Sequence, residues 1–408
     1  MLSVEEARKR MLDTITVLPT EKCGLSDSLG SILAEAVYAG EDIPPFRNSA
    51  MDGFAVLADD VQNASKDHPV QLSVIETIPA GYAPTRRVER GQATRIMTGA
   101  MMPEGADAVV MKEVTAVEGD KVTIFEGFEK DGFEGMEKNG NVRFQGESVG
   151  QGDLVMSEGK LIRPQEIAML ASLNQSEVAV YRRPKVAVVS TGDELTTLGE
   201  ELKPGKIRDS NRYGICAQVR EVGCHPIDMG ITVDDEAETE RKFREALDQA
   251  DALITSGGVS VGEYDVVKTV LSKLGEINFW RVAMKPGKPQ AYGLADGKPI
   301  FGLPGNPVSS LVVFDLFVRP ALLKMAGHSD LLRPTFSAIL EEDVANKDGR
   351  VNYMRSIITQ RDGQYYAKTT GPQGSGILYS LVVANGSIVI PSGARIKAGE
   401  AVEAQFLG

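Results

Sequence analysis

Histidine and cysteine are scarce: the chain of 408 residues has three of each. The cysteines (Cys23, Cys216, Cys224) and the histidines (His68, His225, His328) form no C-x-x-C and no H-x-x-x-H spacing. That argues against a disulfide framework and against a structural zinc site. It also leaves little material for Ser-His-Asp catalysis. A bound metal should then be a hard cation on carboxylate oxygens, Mg2+ first. Positive charge is in deficit: 44 Lys and Arg against 57 Asp and Glu, a formal net charge of −13. A general nucleic-acid binder needs a basic footprint, so no nucleic-acid partner is expected. Long apolar runs are missing too. The greasiest segment, "SSLVVFDLFVRPALLKMAG", is broken by Asp315, Arg319 and Pro320. It reads as a buried helix, and no membrane partner is expected. There is no internal repeat and no low-complexity tract.

What remains is an ordinary globular composition, 42% apolar and 25% charged. The length suits about two to four domains. Ser3 with Glu6 three residues on makes a capping box ahead of an amphipathic helix, without a signal-peptide core. The low cysteine count fits a reducing cytoplasm.

Residues 1–43 read as helical, up to the double proline Pro44–Pro45, which forces extended backbone. Short β-like runs separated by Gly and Asp turns follow to about Gly146, an inserted β domain over 44–146. Residues 147–177 contain a helix from about Pro164 to Leu173, and pair with 1–43 as a discontinuous helical part. From there to 327 the rhythm is strand, helix, strand. "KVAVVS", "DALITSG" and "KPIFGLPGNP" are apolar runs ending in small residues. Phe243, Ala246, Leu247 and Ala250 recur at helical spacing between the first two. This predicts an α/β domain with a largely parallel sheet over 178–327. Alternating runs return over 328–408, a C-terminal all-β domain.

Ligands on such sheets bind beyond the carboxyl ends of the strands. Three turns fall there. "STGDEL" carries adjacent carboxylates, Asp193 and Glu194. "TSGGVSVGEYD" offers Gly257, Gly258 and Gly262, where backbone amides can approach a ligand closely, and ends in Asp265. It matches neither a Walker loop nor G-x-G-x-x-G. "GLPGNPVSS" puts Asn306 at an N-cap position and Pro307 at the first helical position, with Ser309 and Ser310 in the first turn. A fourth segment, "RVAMKPGKPQ", gathers Arg281, Lys285 and Lys288 between stiffening prolines. Asp234 and Asp235 add acid at another predicted loop, and Asp52 lies in the β domain. Read singly, each feature suits a tight turn, a cap or a solvated loop. Together they place acid groups beside an anion site, which is repulsive unless a cation bridges them. The combination predicts Mg2+ and substitution at phosphorus or at an oxyanion.

Ten segments in order from Pro44 to Ser380, among them "PPFRNSAMDGFAV", "RIMTGAMMPEGADAVVMKE", "NGNVRFQGESV", "GKIRDSNRYG", "FWRVAMKPGKP" and "GPQGSGILYS", together resemble the molybdopterin molybdenumtransferase family (MoeA-like proteins and the gephyrin E domain). The resemblance implies a helical linker domain, the inserted β domain, an α/β molybdopterin-binding domain and a C-terminal β-barrel. It implies a homodimer with shared active sites, supplied by a molybdopterin adenylyltransferase. The implied reaction takes adenylylated molybdopterin, molybdate and Mg2+, and releases AMP. By motif, Glu194, Asp234 and Asp265 match the acidic cluster around pyrophosphate and metal. Arg281, Lys285 and Lys288 match the basic loop, with Ser309 nearby, while Arg355 and Ser375 match positions associated with molybdate. Asp52 and Thr98 match functional positions of the β domain, facing the partner subunit's site. Three residues depart from the family pattern: Ser148 where Asp is common, Arg281 for Lys, and Phe54 for Tyr. Two other readings stand beside this one. The α/β domain is shared with adenylyltransferases, and a gephyrin-like chain could be a non-catalytic scaffold.

Overall fold

A computed structural model describes residues 1–125, 138–258 and 266–407. The chain forms two compact units. The first comprises Met1–Ala34, Gly159–Arg163 and Glu177–Gly408, and the second Glu35–Glu158 with Pro164–Ser176. At the junction, within the first unit, the Leu33 N–H donates to the Lys160 carbonyl at 2.9 Å. The Gly159 N–H donates back to Leu33 at 2.8 Å.

The α/β part of the first unit carries a six-stranded sheet. Its spatial order is His225–Thr232, Lys185–Thr191, Ala252–Ser256, Lys298–Leu303, Pro289–Ala295, Glu276–Arg281. The first four run parallel, as the strand–helix rhythm predicts; the last two are joined antiparallel. Both faces are covered. Val186 and Val188 pack with Ile215, Val219 and Phe314 on one side. Ala187 and Val189 alternate to the other side, against Phe243, Leu247, Val270 and Leu271. A strand apolar on both faces is what such a doubly covered sheet requires. The greasy segment is buried helix: Pro307–Val313 and Arg319–Met325, joined by a π turn at Phe314–Val318. No helix among the described residues is long and apolar enough to cross a membrane.

The C-terminal part is a closed barrel. Val351–Arg361, Gln364–Thr369, Phe336–Leu340, Ala401–Phe406 and Gly386–Ile390 pair in sequence, and the last returns to Val351–Arg361. Ile358, Ala367, Ile388, Ile390, Val402 and Ala404 form its core. Tyr353, of opposite parity to Ile358 on its strand, packs instead with the α/β core.

The N-terminal reading needs correction. Within residues 1–43 α-helix spans only Val4–Thr14, with Ser3 Oγ accepting from the Glu6 N–H at 3.0 Å, and a single 3-10 turn lies at Leu25–Asp27. Beyond it, Thr20–Gly24 pairs antiparallel with Glu177–Tyr181. The β-branched run Thr14–Val17, followed by Pro19, disfavours helix and favours extended backbone. The helix itself buries Val4, Ala7 and Met11 against the α/β core.

The second unit has a six-stranded β sheet in the order Ala108–Met111, Gly53–Val56, Gln92–Ile96, Val70–Ile78, Lys121–Ile124, Thr115–Glu118, and the helix Pro164–Ser172. Phe54 is buried among Val56, Val110 and Ile124. At this apolar position the Phe ring has no polar atom to satisfy.

Candidate active site

The connections from Lys185–Thr191 run to one neighbour, His225–Thr232, and then across to the opposite one, Ala252–Ser256. Turns at Thr191 and Ser256 therefore leave adjacent strands in opposite directions and open a crevice at the carboxyl edge.

In the first turn, a Cβ on Gly192 would lie 2.4 Å from Glu194 Oε2, so the Glu194 carboxylate folds back over the glycine. Its neighbour is committed elsewhere. Asp193 Oδ1 accepts the Asp234 N–H at 3.2 Å, and the Asp193 carbonyl accepts from Lys206 Nζ. Glu194, exposed and without a partner among the described residues, is the carboxylate left for a ligand. The bond between Asp193 and Asp234 brings the stretch 233–235 after His225–Thr232, with its own exposed carboxylates, to the same corner.

The second turn begins at Gly257, whose N–H donates to the Leu303 carbonyl at 3.1 Å. Gly257 has φ +101° and Gly258 φ +64°. A Cβ on Gly257 would stand 2.5 Å from the Thr191 carbonyl oxygen. The turn thus presses directly on the strand end beside it. Gly257→Ala should lower stability by about 2 kcal/mol, through strain that only glycine avoids. Thermal unfolding of the variant checks this. Residues 259–265, including Gly262 and Asp265, lie outside the described residues.

The third turn leads from Leu303 into Pro307–Val313, with Asn306 at the N-cap position and Ser309 and Ser310 buried in the first turn. The basic loop shares this edge. Glu276–Arg281 runs in the same direction as Lys298–Leu303, so the loop after Arg281 emerges beside the third turn. The Val282 N–H closes it onto the Lys288 carbonyl at 2.9 Å. Gly287 allows close packing on the helix, since a Cβ there would meet Val313 Cγ2 at 2.4 Å. Lys285 pairs with Asn352, which stitches the loop to the barrel. Arg281 and Lys288 are exposed and Lys285 half-buried.

The barrel supplies the next groups. The Ser375 carbonyl accepts the Val308 N–H at 3.1 Å, fastening its loop to the helix that carries Ser309. Arg355 is 1% exposed. Its Nε donates to Ser380 Oγ at 3.0 Å and its Nη2 to the Gly374 carbonyl at 3.1 Å. Among the described residues Nη1 has no partner, and no carboxylate pairs with the group. Burial alone pulls this guanidinium below its ordinary pKa. It also lines a cavity of about 260 Å³ with Gln218, Leu311, Tyr353 and Ser387, whose wall also carries Glu221 and the Asp315–Arg333 pair. An unpaired buried cation next to Gly374 and Ser375 is a costly arrangement unless an anion completes it.

In the second unit, Asp52 Oδ1 accepts from both the backbone N–H and the hydroxyl of Thr98 at 2.8 Å, and Oδ2 lies 3.3 Å from Lys112 Nζ. The Thr98 N–H, then its hydroxyl and Lys112, hold Asp52 below the usual carboxylate range. These contacts favour the ionised form of Asp52.

One edge of the first unit therefore gathers Glu194, Asp234, Gly257, Gly258, Arg281, Lys285, Lys288, Ser309, Arg355 and Ser375; Asp52 and Thr98 sit together in the second unit. Among the described residues, no three His, Cys, Asp or Glu converge to hold a cation. The donors present still fit Mg2+, which binds through one or two carboxylates completed by water and substrate phosphate. The Asp234 N–H bonded to Asp193 Oδ1 brings the Asp234 turn to the corner that carries Glu194.

Sequence reasoning missed two groups. Asp348 pairs with Arg350, and its carboxyl is lowered chiefly by that guanidinium, with Lys285 and Lys288 adding. The other is the segment Arg208–Asn211, whose side chains reach all three turns; its place directly before a helix and after the first turn was the available signal.

The geometry defines a class: a doubly wound α/β ligand-binding protein whose carboxyl edge is clasped by a β-barrel. Comparison with known proteins narrows it. Residues 2–174 match the MoeA N-terminal region (domains I and II), 187–324 a probable molybdopterin binding domain, and 337–407 the MoeA C-terminal region (domain IV). A molybdopterin molybdenumtransferase of Haemophilus influenzae is 40% identical over 406 residues, covering 98% of each chain. One from Bacillus subtilis is 35% identical, covering 97% of this chain and 91% of that one. The crystal structure of the molybdopterin biosynthesis MoeA protein from Pyrococcus horikoshii OT3 superposes with a TM-score of 0.83 at 33% identity, covering 100% of both chains. The chain belongs to the MoeA family of molybdopterin molybdenumtransferases.

Proposed function

We propose that this chain, a transferase of molybdenum cofactor biosynthesis by family, inserts molybdate into adenylylated molybdopterin and releases AMP in an Mg2+-dependent reaction. The observation that carries the reading is Arg355, a buried guanidinium with an open Nη1 beside the Ser375 loop, on the same edge as the basic loop. Both reactants are anions. Arg355, with the Ser375 and Ser309 hydroxyls, holds the oxyanion. Arg281 and Lys288 take the phosphates, the Gly257 and Gly258 turn lets backbone amides approach them, and Lys285 faces the charge that develops as the anhydride opens. Glu194, Asp234 and Asp265 would hold Mg2+, which supplies charge neutralisation at the phosphates. Asp52 and Thr98 complete the site from the other subunit of a cytoplasmic homodimer. The substrate comes from a molybdopterin adenylyltransferase.

The test is AMP release from adenylylated molybdopterin, which should require both molybdate and Mg2+. Glu194→Gln should slow turnover by about 10²-fold while the melting temperature holds. AMP release indifferent to molybdate would overturn the reading. Pyrophosphate formed from ATP and molybdopterin would replace it with adenylyl transfer.

A further inference from the structure

Glu194, Gly257 and Ser309 ride on three separate turns, each after a different strand. The sheet ladder stops at Thr191, Ser256 and Leu303, so it does not set how the turns spread beyond those residues. One short segment holds the ladder's last residues and, at Gly305, reaches past its end. Asp209, fully buried, accepts the Ser190 hydroxyl at 2.9 Å and so grips the strand entering the first turn. Two residues on, Asn211 Nδ2 donates to Ser256 Oγ and to the Gly305 carbonyl, both at 2.8 Å. Ser256 Oγ is in turn 3.5 Å from Ser310 Oγ, in the helix that carries Ser309.

We infer that Asn211 is a positioning residue that fixes the third turn, at Gly305, against the strand end from which the second turn leaves. An amide nitrogen has two protons, and here both are spent, one on the strand end and one on the third turn. Asn211 thus acts on a ligand through the turns rather than through its own nitrogen. The residue type is demanding. Asp would set an oxygen against the Gly305 carbonyl, and Ala would leave Gly305 without its tie to the strand end, where only the Gly257–Leu303 backbone bond remains. Loss of the bridge lets the turns drift, and misplacement of about 1 Å at a binding constellation costs up to about 10²-fold. The effect should appear in capture of the pterin phosphates, which both turns face under the reading above.

The experiment uses the full-length protein with Asn211→Ala, Asn211→Asp and Ser256→Ala. KM for adenylylated molybdopterin should rise about tenfold in the Asn211 variants and less in Ser256→Ala, with kcat within about twofold of wild type. Affinity for molybdopterin itself, followed by pterin fluorescence, should fall in the same order. A merely structural role would lower the active fraction, and hence kcat, at unchanged KM; that result overturns the inference. Unchanged affinity in all three variants overturns it as well. Should the wild type bind molybdopterin but release no AMP, the proposed reaction fails, and the fluorescence series still decides the role of Asn211.

Discussion

Arg355→Met is expected to leave the protein folded and to lower kcat/KM for molybdate by about 10²-fold. The two halves of this expectation have one cause. Arg355 is enclosed, with two neutral acceptors and no carboxylate. Its charge was taken out of water without a counter-charge among the described residues, so it contributes little to the fold. Replacing such a group with an apolar side chain of similar length is close to neutral for stability. Ser380 Oγ keeps its bond to the Ile377 carbonyl at 2.6 Å, so the variant leaves few orphaned groups. The charge is useful only when an anion arrives. A molybdate titration of AMP release, run beside thermal unfolding, separates the two halves. Unchanged kcat/KM would remove Arg355 from the oxyanion site. A collapsed melting temperature would make it a structural residue.

The opposite behaviour is expected of Asp209→Ala: a loss of about 3–5 kcal/mol and a fall in melting temperature of roughly 10 °C. Asp209 is 0% exposed and Arg212 is 4% exposed. Their side chains meet at 2.7 Å, and Asp209 also accepts the Arg212 N–H at 3.2 Å. Removing the carboxylate strands the guanidinium beside Asp228 alone, whose side chain is 44% exposed and partly screened by water. Removing both charges, as in Asp209→Leu with Arg212→Met, should recover much of the loss, because the penalty lies in leaving one ion unpaired. A double variant no better than the single one would mean that the hydroxyl bond from Ser190, and not the ion pair, is what matters.

Arg355 and Asp209 also show what a sequence can disclose. The α/β core was legible because "KVAVVS" and "DALITSG" are apolar without alternation and end in small residues, as strands buried on both faces must. The edge followed from that, and with it Glu194, Gly257 and Ser309. The N-terminal extended stretch was misread because its partner, Glu177–Tyr181, is far away in the chain. The burial of Arg355 has no local signature. In "NYMRSI" it reads as the polar member of an alternating strand; only the closure of the barrel against the α/β core turns its outer face into an interior. Its candidacy came from family resemblance alone. Asn211 was hidden for a related reason. An Asn at a helix start is a routine cap, and its two bonds run to turns more than forty residues away in sequence.

The junction at Leu33 has a further consequence. The chain departs after Ala34 and comes back at Gly159, where Leu33 is already bonded to Gly159 and Lys160. For the part left behind, whatever is threaded between those points is a detour of almost no span. Closing such a detour costs little more as it grows longer. A hybrid of two relatives should therefore be cut here and again around Pro164–Ser176, so that both excursions come from one parent.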